Sequence, residues 1–241
     1  MPTPARHDLV WLNAHGWNGV QAATIAHPVA VRDALARWRD ADWPLVVRRR
    51  SPDEPAPDSL HEALPVGLAL PPDPLTGVKP RIGVMVERAD IRQHELPTQL
   101  SKVLGTAPPQ WRAGLLALHL ESMDAPCSLR VFGSLAWQSI TGMPYLRATS
   151  DIDLLAAPRT RRDLALAMDL LQRHGGGLPL DGEIIFPSGA AVAWKEWREV
   201  FAANDSDSTG AARVMVKTHD SVSLMTCAAL LASLGSDAWT G

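Results

Sequence analysis

Apolar and polar positions follow two rhythms along this chain, and the switches between them mark its elements. Val31, Leu35 and Trp38 recur at helical spacing, which predicts a helix over residues 29–39 with Pro28 tolerated at its start. Short apolar runs at 43–50, 66–70 and 81–86 read as strands, separated by a proline- and acid-rich turn at 52–57 and a loop at 71–77. Residues 7–20 have mixed periodicity and resolve into no element. A weak helix broken near Gly105 is expected over 93–109. A stronger one is expected over 110–123, with Leu115, Leu116, Leu118 and Leu120 supplying its apolar positions.

The second half repeats the alternation. A strand at 127–132 ends at Gly133-Ser134, a short helix covers 135–140, and Thr141-Gly-Met-Pro144 turns the chain. A strand at 150–156 leads to an amphipathic helix at 161–173, with Leu164, Met168 and Leu171 along one face, halted by Gly175-Gly-Gly177. Residues 178–186 read as a strand interrupted by Asp181 and Glu183. After a turn at 187–189, residues 190–194 return as its hairpin partner. Residues 195–200 fit either a helix or a path along the sheet. A polar loop at 204–209, a strand at 213–217 and a closing helix at 221–234 complete the chain. The mixture predicts an α/β chain of the α+β kind, a mixed sheet flanked by helices. Its expected parts are a smaller N-terminal α/β domain at 1–90, a connecting helical segment at 91–125 and a second domain at 126–241.

Composition narrows the class. With 46% apolar and 20% charged residues, the 241-residue chain is that of an ordinary globular protein able to build a sizeable core. The net charge of −3 argues against wrapping nucleic acid through bulk positive charge, yet leaves room for a small anion held by a local cationic cluster. The longest apolar stretch, near 224–234, is too short and too polar to span a membrane. The two cysteines, Cys127 and Cys227, make neither a metal-binding spacing nor a disulfide framework, so a reducing, cytoplasmic setting is expected. Trp137, Trp194 and Trp197 fall in patterned segments where core packing explains them.

The chemistry concentrates in two places. Gly133 lacks a Cβ where a phosphate could approach the backbone, and Ser134 could cap the helix that follows, whose N-terminus offers free N–H groups to an anion. Downstream, Ser150-Asp-Ile-Asp-Leu-Leu155 places Asp151 and Asp153 two residues apart on an apolar strand. Period two puts both carboxylates on one face, where their repulsion calls for a cation such as Mg²⁺. Read singly, a Gly-Ser pair is a turn and an isolated aspartate is a turn or edge residue. Together they form a phosphate grip in front of a metal site, the two parts needed to move a nucleotidyl group. Asp181 and Glu183 repeat the two-residue spacing, and either could supply a third carboxylate to coordinate metal and ionise an attacking hydroxyl. Asp181, following directly on Leu178-Pro-Leu180, is the closer parallel to Asp151.

Gly133-Ser134 and Asp151-x-Asp153 resemble the signature of the nucleotidyltransferase superfamily typified by DNA polymerase beta. A wider set of segments resembles the phosphoribosyl-dephospho-CoA transferases (holo-acyl-carrier-protein synthases) of malonate decarboxylase. These include Arg6-His-Asp-Leu-Val-Trp11, Trp43-Pro-Leu-Val-Val-Arg-Arg-Arg50 and Gly133-Ser-Leu-Ala-Trp-Gln138. They continue with Ser150–Leu155, Asp181-Gly-Glu-Ile, Ala191-Val-Ala-Trp-Lys-Glu196 and Val216-Lys-Thr218. The resemblance implies a nucleotidyltransferase-like fold. It also implies transfer of a phosphoribosyl-dephospho-CoA group from 2'-(5''-triphosphoribosyl)-3'-dephospho-CoA to a serine of the malonate decarboxylase acyl carrier protein, with release of pyrophosphate. Mg²⁺ would sit on Asp151, Asp153 and Asp181, the outer phosphates at Gly133 and Ser134. Counter-charge for the anionic substrate would come from the Arg48-Arg-Arg50 cluster, from Arg147 and from Lys217, with His7 a further site residue by resemblance alone. The competing readings keep the fold and change the acceptor, to the citrate lyase carrier or a small molecule, or make the chain a non-catalytic carrier-binding module. Neither nucleic acid nor a membrane is an expected partner.

Overall fold

The computed structural model describes residues 3–54, 63–123, 128–203 and 210–235. The expected loop at 204–209, the end of the turn at 52–57 and the start of the strand at 127 lie outside them. The chain is α+β, as its pattern predicts. It forms two units, one comprising residues up to Pro97 with Met143–Tyr145, the other Thr98–Gly142 and the chain from Leu146 onward.

The first unit is built on an antiparallel sheet of β1 (Leu9–Leu12), β2 (Leu45–Val47), β3 (Ala63–Ala69), β4 (Arg81–Glu87) and β5 (Ile91–Glu95), in the order β4-β3-β2-β1-β5. Helices α1 (Ala14–Ala23) and α2 (Val29–Asp40) accompany it. The unassigned stretch 7–20 thus holds a strand and a helix. Asn13 separates them, its side chain accepting a 2.8 Å hydrogen bond from the N–H of Gly16 as an N-cap. On α2 the buried residues are Ala34, Leu35 and Trp38, the helical spacing seen in the sequence. The Trp38 indole donates to the Pro44 carbonyl and meets Trp43 edge-on. Asp8 and His94 form a buried 2.7 Å pair that links the start of β1 to β5. Tyr145, fully buried, donates its hydroxyl to the Ala69 carbonyl, which ties the short segment 143–145 to β3.

The second unit carries a seven-stranded sheet. Its strands are β6 (Thr98–Gln99), β7 (Leu129–Val131), β8 (Ile152–Ala156), β9 (Leu180–Ile185), β10 (Ala191–Ala193), β11 (Arg213–Lys217) and β12 (Val222–Thr226), lying in the order β12-β11-β10-β9-β8-β7-β6. Only β8 and β9 run parallel; every other neighbouring pair is antiparallel. The helices are α3 (Leu100–Val103), α4 (Pro109–Met123), α5 (Gly133–Thr141), α6 (Arg161–His174), α7 (Trp194–Ala203) and α8 (Cys227–Ala232). Helix α6 crosses between the parallel strands. It opens on a capping box in which Thr160 and Asp163 bond each other's backbone, and it ends at Gly175. Among the described residues no helix is long and apolar enough to cross a membrane.

Two expectations about secondary structure fail. The weak helix at 93–109 is instead β5, β6 and the single turn α3, because Gln93 and Glu95 pair with β1 and Thr98 with Val131. The closing helix at 221–234 is β12 followed by α8. Thr218 folds a tight turn by accepting from the N–H of Ser221, and Val222 then pairs with Lys217. The apolar run alone did not distinguish a strand from a helix. The division of the chain also differs from a boundary at 90 with a separate segment at 91–125. β5 completes the first sheet, whereas β6, α3 and α4 belong to the second unit.

Alternation along the second sheet sorts its two faces. Leu129, Val131, Ile152, Leu154, Ala156, Leu180, Ile184, Val192, Val214 and Val216 join side chains from all six helices, Trp194 and Trp197 included, in one core. The intervening positions point the other way, and they carry the charged side chains.

Candidate active site

The parallel register of β8 and β9 sets Asp153 beside Asp181 and Leu155 beside Glu183. Asp151, one residue before β8, continues the same period-two series. Asp151, Asp153 and Asp181 accordingly converge, each offering a carboxylate oxygen within 4.8 Å of the others. Asp151 is exposed and the other two are half-buried, so the cluster opens to solvent. Three hard oxygen donors at this spacing fit a divalent cation such as Mg²⁺. Without one they repel.

Gly133 closes the cluster on the β7 side. It has φ +69°, a left-handed backbone that side chains disfavour, and a Cβ built on it would fall 1.9 Å from Oδ2 of Asp153. The missing Cβ therefore makes room for a carboxylate as well as for any phosphate. Helix α5 begins at Gly133 itself, with Phe132 at the N-cap position and no side-chain cap. Ser134 is therefore not the cap the sequence suggested but the second residue of the helix, buried beside the N-terminus. Gly182 does for β9 what Gly133 does for β7. At φ +130° its backbone presses so close that a Cβ would lie 1.8 Å from the Leu154 carbonyl oxygen. This close approach of β9 to β8 holds Asp181 against Asp153.

Asp181 and Glu183 share a face, as their spacing requires, but their surroundings differ. Glu183 is 7% exposed and accepts a 2.9 Å charged hydrogen bond from Lys217, which the antiparallel pairings of β10 bring to the same face. Asp181, with its side chain 41% exposed, belongs to the carboxylate cluster. Lys195, at the first turn of α7, places its ammonium 3.6 Å from Oδ1 of Asp181. No pattern in the sequence singled Lys195 out, since its partner lies across a hairpin. The alternation of β10 into α7 was its only local signal.

The remaining predicted site residues have these surroundings. Arg147 is exposed on the turn before Asp151, where its N–H donates to the Ser150 hydroxyl and its carbonyl accepts from the Ser150 N–H. With Gln110, Trp111, Thr149 and Pro179 it lines a cavity of about 420 Å³. Arg48 and Arg50 belong to the first unit. Arg48 makes a forked contact with Glu54 and donates to the Val66 carbonyl, while buried Arg50 donates to the Ala63 carbonyl. The Arg48 guanidinium holds the Glu54 carboxyl below its ordinary range. His7, also in the first unit, has φ +77° and donates its N–H to the Val47 carbonyl.

Two family models match nearly end to end. The N-terminal domain of the phosphoribosyl-dephospho-CoA transferase MdcG matches residues 5–97, and the C-terminal domain matches residues 99–228. The chain belongs to the phosphoribosyl-dephospho-CoA transferase family. Both matches follow the division between the two units. The chain is 35% identical to a phosphoribosyl-dephospho-CoA transferase of Xanthomonas campestris pv. campestris (strain 8004), over 93% of this chain and 95% of that one. It is 34% identical to one from Bradyrhizobium diazoefficiens, over 92% and 90%. It is 29% identical to one from Pseudomonas putida (strain W619), over 95% and 100%. No solved structure matches the chain.

Proposed function

We propose that this member of the phosphoribosyl-dephospho-CoA transferase family moves the 2'-(5''-phosphoribosyl)-3'-dephospho-CoA group from its triphosphate to a serine of the malonate decarboxylase acyl carrier protein, in the cytoplasm. The serine oxygen forms a bond to the α-phosphorus, the bond from that phosphorus to the departing pyrophosphate breaks, and the serine proton is lost. The observation that carries this reading is the convergence of Asp151, Asp153 and Asp181 beside the left-handed turn at Gly133. A transferase acting on a triphosphate needs a carboxylate site for hard cations next to an anion-receptive helix end.

Asp151, Asp153 and Asp181 would hold Mg²⁺, which when bound neutralises phosphate charge. The first N–H groups of α5, at Gly133 and Ser134, are oriented to receive the outer phosphates. Their fixed dipoles need no reorganisation during transfer. Asp181 lies on β9, across β8 from that helix. It would accept a hydrogen bond from the serine hydroxyl, on the side opposite the leaving group that in-line displacement requires. Lys217 donates to Glu183 and, with its side chain 40% exposed, would add a further cation beside the site.

Mass spectrometry of purified apo-carrier incubated with the enzyme, Mg²⁺ and the triphosphate substrate tests the proposal. A mass gain equal to the phosphoribosyl-dephospho-CoA group on one serine is the expected result. Modification of the citrate lyase carrier in preference to the malonate decarboxylase carrier would reassign the acceptor. Absence of modification on either carrier would overturn the reading.

A further inference from the structure

Two lysines face carboxylates on β9, and the two pairs are built differently. Lys217 and Glu183 are 2.9 Å apart with the glutamate buried, a charged hydrogen bond at full contact distance. Lys195 and Asp181 are 3.6 Å apart with side chains 48% and 41% exposed. That separation is an ion pair without hydrogen-bond contact, and exposed pairs of this kind are weak. The ammonium can therefore change partner at little cost. Trp194, buried under the first turn of α7, has the Lys195 ammonium 5.9 Å and the Arg198 guanidinium carbon 5.2 Å from its ring.

We infer that Lys195 is a catalytic residue of the transfer reaction, a role that rests on the function proposed above. Its ammonium pairs with Asp181 in this structure and passes to a non-bridging oxygen of the α-phosphate during transfer. The position fits that role. The α5 end, assigned to the departing phosphates, lies on the β7 side of β8, and Lys195 lies on the β9 side. A cation there meets the reacting phosphorus from the side of the incoming hydroxyl. It pairs with Asp181, one of three clustered carboxylates that would otherwise repel an anionic substrate. The bonds made and broken are those of the transfer itself, and the lysine contributes a fixed positive charge where phosphoryl charge is redistributed.

K195M and K195R test the inference, since a half-exposed lysine can be replaced without disturbing the core. Three quantities decide it: kcat with saturating carrier, KM for the triphosphate substrate, and the affinity for Mn²⁺ measured by calorimetry on enzyme alone. For K195M we expect kcat to fall by about 100-fold or more, the size of effect seen when one transition-state donor is removed. KM should change little, Mn²⁺ affinity should be equal or tighter than wild type, and K195R should recover part of the rate. Wild-type kcat in K195M would overturn the inference. So would Mn²⁺ affinity falling in step with kcat, because the lysine would then act only by positioning Asp181. A wild-type enzyme that fails to modify the carrier would remove the proposed function itself, and Lys195 with it. A wild type that transfers while K195M transfers equally well would remove only Lys195.

Discussion

Oδ2 of Asp153 occupies the space that a side chain on Gly133 would need. The two would be 1.9 Å apart, well inside any allowed contact. The phosphate-side turn and the carboxylate strand are thus fitted to each other, and glycine is required twice over, by this contact and by its φ of +69°. In G133A the left-handed backbone alone should cost about 1–2 kcal/mol, and Asp153 must swing out of the cluster. We expect a lower melting temperature together with weakened Mn²⁺ binding by calorimetry. If G133A binds Mn²⁺ as wild type does, Asp153 is not held by this contact.

Asp153 lies beside Asp181 in the register of β8 and β9 and offers an oxygen within 4.8 Å of both Asp151 and Asp181. Removing its charge in D153N should relieve repulsion while taking away one of the three proposed metal ligands. Thermal melts without divalent cations should show D153N at least as stable as wild type. Added Mg²⁺ should raise the melting temperature of wild type and leave D153N unmoved, because a ligand stabilises only the fold that binds it. Equal Mg²⁺ shifts in the two proteins would place the ion elsewhere.

The choice between Asp181 and Glu183 turns on their neighbours. Glu183 is buried against Lys217, so E183Q should weaken the fold, by about 1–2 kcal/mol given that the lysine is itself 40% exposed. It should spare metal binding. D181N should do the reverse, with the fold kept, Mn²⁺ affinity reduced and turnover lost. Chemical denaturation and calorimetry on both variants check the pattern. Loss of Mn²⁺ binding in E183Q alone would transfer the metal role to Glu183.

What the sequence could reveal about the site followed from distance along the chain. Asp151 and Asp153 are legible because a strand's two-residue period is local, and Gly133 because a glycine at a strand-to-helix junction marks a special backbone. The meeting of Asp153 with Asp181 depends on the parallel register of β8 and β9, which α6 creates across more than one turn of chain and which no local pattern encodes. Lys195 and Lys217 reach β9 only through β10 and β11, so their partners were equally out of sight. In the fold, α2 and α6 were visible from their helical spacing; α4 was expected from a leucine-rich run, of which Leu115 and Leu118 are buried while Leu116 and Leu120 are exposed. Strands β5 and β12 were not visible, because Ile91-Arg-Gln-His-Glu95 is too polar to show a period and Val222-Ser-Leu-Met-Thr226 runs into an apolar stretch that reads equally well as helix. Their strand state comes from pairing with partners elsewhere in the chain.

Asp8 and His94 are both almost completely buried, and their 2.7 Å contact joins β1 to β5. Asp8 also accepts from the N–H of Ala5 at 2.8 Å. In D8A the histidine loses its partner and the Ala5 N–H its acceptor. A cost of about 3 kcal/mol is expected for breaking a buried pair of this kind. Urea denaturation should show it, and a change below 1 kcal/mol would mean that the pair adds little to the fold.

Arg48 was read from the sequence as a contact for the anionic substrate, yet in the structure its guanidinium is forked onto Glu54. That contact, more than any other, holds the Glu54 carboxyl below its ordinary value of 4.5. A carboxyl whose folded value is depressed binds its proton more weakly in the fold than in the unfolded chain. Its contribution to stability is therefore complete above the unfolded value and is lost as the pH falls through the folded one. The stability difference between wild type and E54A should be full at neutral pH and shrink steadily as the pH falls below 4.5. Denaturation of both proteins across the acid range measures it. A difference that stays constant with pH would show that Glu54 acts through packing alone and would return Arg48 to the list of cations available for substrate.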